Sequence, residues 1–139
     1  MVTRFLIGFV IGIITIFLLW ESLPFQKYLK FILYYEDRKN VIEMVQSGEI
    51  VGDPFTGIAI LPEALKKTSR DGEINIFNSN EVCDFEHGTV IGFTIETNLK
   101  YRIAIVYDST DSVQHILMHI PTTQAITRLK QYWYYCVIK

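Results

Sequence analysis

The order of hydrophobic and polar residues divides the chain into a short apolar segment and a longer mixed part. Residues from Phe5 to Trp20 carry no charge. A helix of that length covers about 24 Å, and continuing it to Leu23 gives about 28 Å. The hydrocarbon core of a bilayer is about 30 Å thick. The pattern therefore predicts a transmembrane helix within residues 1–24.

The residues that follow the apolar segment indicate that it is retained as a signal-anchor. Signal peptidase requires small residues at both of its specificity positions. Cleavage after Ser22 would place the bulky Trp20 at one of them. The first cysteine is Cys83, so lipid attachment next to the apolar segment is excluded. We expect a single-pass membrane protein with the lipid bilayer as one partner.

Aromatic and basic residues continue this segment into a predicted juxtamembrane helical region, residues 25–49. Trp20, Phe25, Lys27 and Tyr28 combine apolar bodies with polar tips, and such side chains favour the level of the lipid headgroups. These residues therefore predict a membrane-interface belt. The alternative is an amphipathic helix that packs on the following domain.

Two glycines four residues apart, Gly8 and Gly12, lie on the predicted membrane helix. Small residues at this spacing allow two helix backbones to approach closely within lipid. The spacing predicts a helix–helix packing face. Its partner would be a second copy of the chain, in a homo-oligomer, or another membrane protein.

The apolar period changes to two in residues 50–139, which predicts a small α+β domain. Short turns between the strands favour antiparallel pairing. The prediction is a mostly antiparallel sheet of four to six strands with one or two packed helices. One helix lies before the domain, near Glu36–Gly48, and another begins at Pro121 with Ala125, Ile126 and Leu129 on its buried side. The expected strands are Ile58–Leu61, Glu73–Asn78, Thr89–Thr97, Lys100–Asp108, Val113–Ile120 and Tyr132–Ile138.

Charge limits the classes of partner and bears on the side of the membrane that carries the domain. The formal net charge is −2 and the bases form no continuous stripe, which argues against nucleic-acid binding. Bases from Lys27 to Lys39 favour a cytoplasmic domain under the positive-inside rule. Long domains after an N-terminal anchor are exported largely regardless of such charges. We expect the extracytoplasmic side.

Every histidine of the chain belongs to one of two groups with four-residue offsets, Cys83 with His87 and His115 with His119. Cysteine and histidine at such offsets are typical zinc ligands. In the predicted strand Val113–Ile120, however, positions four apart are separated by about 13 Å, too far to share one ion. We therefore expect no metal and no cofactor. A metal-binding or enzymatic domain that uses these four residues is the alternative.

No motif for nucleophilic catalysis is present, and Ser69, Ser79, Ser109 and Ser112 lie in apparent turns. Asp108 and Asp111 lack the pattern of an EF-hand and are expected to accept backbone hydrogen bonds in a turn. No catalytic residue is predicted. Whether Cys83 and Cys136 pair stays open. The sequence thus predicts a membrane-anchored, non-catalytic domain, either a protein-interaction module or an accessory subunit of a membrane complex.

Overall fold

A computed structural model of the chain describes residues 2–20, 23–78 and 88–139. Within these ranges, the side chains of residues 2–5, 19, 20, 23, 24 and 78 are not part of the description. The chain forms two compact units, Met1–Leu33 and Tyr34–Lys139, and each is described by itself.

The first unit consists of helices α1 (Val2–Trp20) and α2 (Leu23–Leu33). Every large apolar side chain described in α1 is exposed, with exposed fractions between 47% for Val10 and 67% for Phe9 and Leu18. The hydroxyl of Thr15 donates to the carbonyl oxygen of Ile11 at 2.8 Å, so the helix satisfies this polar group internally. The described part of α1 is thus apolar on all its faces.

Among the residues that the structure describes, no helix reaches the combination of length and hydrophobicity needed to cross a membrane. This finding leaves the predicted N-terminal transmembrane helix without support from the structure.

The second unit confirms the predicted α+β class with an antiparallel sheet at its centre. It begins with α3 (Tyr35–Gln46), and a 3-10 helix (Glu63–Thr68) follows the first strand. The remaining elements are β1 (Ile58–Ile60), β2 (Glu73–Asn78), β3 (Thr89–Thr97), β4 (Arg102–Asp108), α4 (Val113–His119), β5 (Thr123–Lys130) and β6 (Trp133–Ile138). The strand order in the sheet is β1-β2-β3-β4-β6-β5, with every neighbouring pair antiparallel.

Helices cover both faces of this sheet. On one face, Tyr35 of α3 contacts Trp133 of β6 edge to face, with ring centroids 5.8 Å apart. On the other face, α4 packs its buried Ile116 into an apolar cluster. The sheet contributes to that cluster Val90, Ala104, Val106, Tyr134, Cys136 and Ile138. Because both faces are covered, the central strands β3 and β4 are buried almost throughout rather than at alternate positions.

Helix α3 forms where the sequence predicts a helix, with Val41, Ile42 and Val45 on its buried side. It ends at Gln46, and Gly48 shortly after it has a φ of +79°, a conformation that glycine adopts without strain. The following N–H groups of Glu49 and Ile50 donate back to the carbonyl oxygen of Met44. These bonds satisfy carbonyl groups that the helix end leaves free.

Two predicted elements are wrong, and their types are exchanged. Residues 113–119 form a helix rather than a strand, and residues 123–130 form a strand rather than a helix. Ser112 caps α4 by accepting a hydrogen bond from the backbone N–H of His115 at 3.3 Å. The residue before a proline is disfavoured in the helical region, and Ile120, which precedes Pro121, has φ −127° and ψ 71°. The helix therefore ends before Pro121.

Candidate functional site

The candidate site is built around Asp108, the last residue of β4, whose side chain is completely buried. Its carboxylate accepts hydrogen bonds from the backbone N–H groups of Thr110 and Ser112, both at 3.0 Å. The Thr110 hydroxyl donates to the same carboxylate. These bonds confirm the prediction that Asp108 organises the turn between β4 and α4.

The fourth partner of Asp108 is the imidazole of His115. Nδ1 of His115 lies 2.9 Å from Oδ1 of Asp108. A carboxylate that already receives two backbone N–H bonds acts as the acceptor, so the hydrogen-bond network assigns a proton to Nδ1 of His115. In the neutral ring, Nε2 then carries a lone pair. Asp108 thereby fixes both the orientation and the tautomer of this histidine.

His119 follows one helical turn later, and its ring faces the ring of His115. Its Nε2 atom lies 3.2 Å from Nε2 of His115, and the ring centroids are 4.6 Å apart. The two nitrogens thus lie on the facing edges of the rings. Both side chains are partly exposed, and His115 exposes 15% of its side-chain surface. The expected separation of about 13 Å is wrong because it assumed a strand.

The electrostatic surroundings favour the neutral form of His119. Burial lowers the pKa of His119, and the neighbouring His115 adds to this effect, while Asp108 opposes it. Two neutral imidazoles can share one hydrogen bond, with His119 donating to the lone pair of His115. The three side chains therefore form a continuous series of hydrogen bonds from Asp108 through His115 to His119.

The backbone of Gly88 closes one side of this pair. A Cβ atom built on Gly88 would lie 2.7 Å from both Cε1 and Nε2 of His115 and from Cγ2 of Thr110. Gly88 also has a φ of +101°, which other residues rarely adopt. Glycine is thus required where the chain enters β3 beside His115.

A second polar network supports the same turn from the β5–β6 hairpin. Asp111 accepts hydrogen bonds from the backbone N–H of Tyr132 and from the hydroxyl of Tyr134, each at 2.8 Å, and pairs with Arg128. The Tyr132 hydrogen bond contributes most to lowering the pKa of Asp111. Burial, followed by the bond to Asp111, raises the pKa of Tyr134 to about 12. Sequence reasoning assigned Asp111 only to the turn and missed Arg128 and Tyr134.

The hydroxyl groups of the turn near the histidines form hydrogen bonds that stabilise that turn. Ser109 Oγ accepts from the backbone N–H of Thr89 at 2.8 Å, and Ser112 Oγ caps α4. Thr110 is bonded to Asp108. The arrangement can orient an imidazole, transfer a proton along two rings or present two ring nitrogens to a cation. The hydroxyl groups of this turn are engaged in structural hydrogen bonds.

Of the four residues in the predicted metal group, the structure brings His115 and His119 together. Cys83 and His87 lie outside the described residues. Within the described parts of the chain, no group of three or more histidine, cysteine, aspartate or glutamate side chains is arranged to hold a metal ion. Cys136 is a buried thiol whose pKa burial raises to about 12, so it is protonated at neutral pH.

The membrane-related residues lie in the first unit. A Cβ atom at Gly8 or Gly12 would meet no atom within 4 Å outside the helix, so both positions offer an open surface. Phe25 and Tyr28 expose 46% and 43% of their surfaces. Lys27 is half-buried. The side chain of Trp20 lies outside the description.

Comparison of the chain with protein-family models, with curated proteins and with solved structures gives no match.

Proposed function

We propose that the chain is a single-pass, membrane-anchored, non-catalytic protein whose second unit, Tyr34–Lys139, here called the sheet domain, binds or assists another protein. The observation that carries this proposal is the exposure of every large apolar side chain described in α1. A helix that is apolar on all faces is stable inside a protein core or in lipid, and not in water. The bilayer is the partner that this helix fits.

The proposed span is the uncharged segment from Phe5 to Trp20, continued to Leu23, which is longer than the stretch of α1 whose side chains are described. Helix α2 supports it by exposing residues suited to the membrane interface. Besides Phe25 and Tyr28, it exposes Leu29, Ile32 and Leu33. We place these side chains at the headgroup level and the sheet domain on the extracytoplasmic side.

The sheet domain itself carries exposed apolar residues near its β1 edge. Val51 and Phe55 precede this strand and expose 69% and 96% of their surfaces, and Ile60 within it exposes 73%. These three side chains lie within ten residues of the sequence, and exposed apolar surface is a feature of contact sites. An edge strand also offers backbone groups for pairing with another chain. These features support a role in protein interaction, as a module or as an accessory subunit.

Association through the membrane helix is expected to depend on Gly8 and Gly12. Replacing both with leucine adds side chains where two backbones would meet, and interhelical contacts in membranes contribute about 1–2 kcal/mol at most. We expect a clear loss of dimer or complex signal in a FRET or crosslinking assay at equal expression. The sheet domain should stay folded because neither glycine contacts another atom at its Cβ position.

A matched control is the pair Val10→Leu and Ile14→Leu, which has the same four-residue spacing. Successive helix positions are about 100° apart, so this pair lies about 200° around the helix from the glycines. Association should survive the control substitutions. Equal association of wild type and the Gly8→Leu/Gly12→Leu variant, or no association of the wild type with itself or another membrane protein, would refute the packing face.

A further inference from the structure

The two Nε2 atoms of His115 and His119 point to a site that the proposed anchoring function does not require. We propose that these two nitrogens bind one transition-metal cation of the Cu²⁺, Ni²⁺ or Zn²⁺ class, with Asp108 orienting His115 from behind. Imidazole suits these cations, whereas Mg²⁺ and Ca²⁺ prefer oxygen ligands.

The distances fit this proposal. Metal–nitrogen bonds of about 2.0–2.1 Å at a tetrahedral angle place two ligand nitrogens about 3.3–3.4 Å apart. The observed separation of the Nε2 atoms is 3.2 Å. Two histidines four residues apart on one face of a helix are also the arrangement used by helical zinc sites. Binding thus requires a small displacement of the two rings and a change of tautomer at His119, whose proton moves from Nε2 to Nδ1 and leaves the Nε2 lone pair free for the ion.

The environment of His115 has the form of an oriented metal ligand. Metal-binding histidines usually donate their other N–H group to a carboxylate or carbonyl, which fixes the ring and increases its basicity. Nδ1 of His115 makes such a bond to the fully buried Asp108. The carboxylate is held in turn by Thr110 and Ser112, so it supports the ligand rather than binding the ion itself.

The exposure of the two histidines and the number of coordination positions left on the ion are also compatible with metal binding. Both histidine side chains are partly exposed, with 15% of the His115 side chain accessible, so an ion can approach from the solvent side while the Gly88 backbone restricts movement of the His115 ring. Two protein nitrogens leave further coordination positions for water or other ligands. By the order of affinities among divalent ions, Cu²⁺ should bind more tightly than Ni²⁺ or Zn²⁺.

The test uses the full chain in mild detergent, with a purification tag that contains no histidine. Cu²⁺ is titrated and followed by electron paramagnetic resonance, and Zn²⁺ is titrated by calorimetry. We expect one ion per chain and a Cu²⁺ spectrum with coupling to two nitrogens. Asp108→Asn should weaken binding about 10- to 100-fold, and His115→Ala or His119→Ala at least as much.

Gln114→Ala is the matched control, because Gln114 is an exposed residue of α4 and its replacement leaves both histidines in place. It should bind like the wild type. Circular dichroism checks that each variant is folded; if His115→Ala unfolds, the more peripheral His119→Ala variant decides. Absence of stoichiometric Cu²⁺ and Zn²⁺ binding by the wild type would overturn the proposal. So would unchanged affinity in a folded His119→Ala variant.

Discussion

Replacing Asp108 with alanine should lower the free energy of unfolding of the sheet domain by about 3–5 kcal/mol. The carboxylate is fully buried and accepts the N–H groups of Thr110 and Ser112 together with Nδ1 of His115. Alanine leaves these donors without the acceptor that the buried carboxylate supplies. Each buried unsatisfied donor costs about 1–3 kcal/mol.

Urea unfolding of the full chain in mild detergent, followed by near-ultraviolet circular dichroism, measures this loss. Asp53→Ala is the matched control, since Asp53 accepts bonds from the N–H groups of Phe55 and Thr56 in a similar turn but is exposed. Water can replace the lost acceptor there, so the loss should be much smaller. Equal effects of the two substitutions would contradict the structural role given to Asp108.

Replacing Arg38 should have an effect that depends on the shape of the new side chain. Arg38 of α3 is only 1% exposed; its Nε donates to the carbonyl oxygen of Thr68 at 3.1 Å, and its guanidinium lies 5.8 Å from the centre of the Phe93 ring. Burial lowers its pKa to about 10, which still leaves the group charged at neutral pH. Such a group fills space but also carries a desolvation cost.

We expect Arg38→Ala to destabilise the domain by about 2–4 kcal/mol, because it leaves a cavity between α3 and the sheet. Arg38→Met should cost less than about 1.5 kcal/mol, since methionine fills a similar volume without a buried charge. The same urea titration compares the two variants. Equal destabilisation by methionine and alanine would show that the charge, rather than the packed volume, stabilises this position.

Sequence periodicity predicted most of the sheet domain because its strands and tight turns follow simple local rules. Strands β2 and β3 have the predicted bounds, and Asn98 makes the predicted tight turn by accepting the N–H groups of Lys100 and Tyr101. Alternation and turn residues act over a few positions, so they can be recognised without knowing the fold.

The same reasoning failed between Val113 and Lys130. A seven-residue helix has too little periodicity to be told from a strand, and a proline such as Pro121 can stand either at the start of a helix or after the end of one, as it does here. Ser112, three residues before His115, was the available capping signal. A strand over these residues would hold His115 and His119 far apart, whereas the helix brings them together. The Asp108–His115 contact also depends on that helix.

Accessibility of two single cysteines to a membrane-impermeant maleimide tests the proposed anchor most directly. Thr3→Cys and Leu99→Cys are introduced separately, with Cys83 and Cys136 replaced by serine and alanine. Leu99 lies in the β3–β4 turn and is fully exposed. We predict that Leu99→Cys is labelled from outside intact cells, whereas Thr3→Cys is labelled only after the membrane is permeabilised. Labelling of both positions from the same side of the membrane would contradict a spanning anchor.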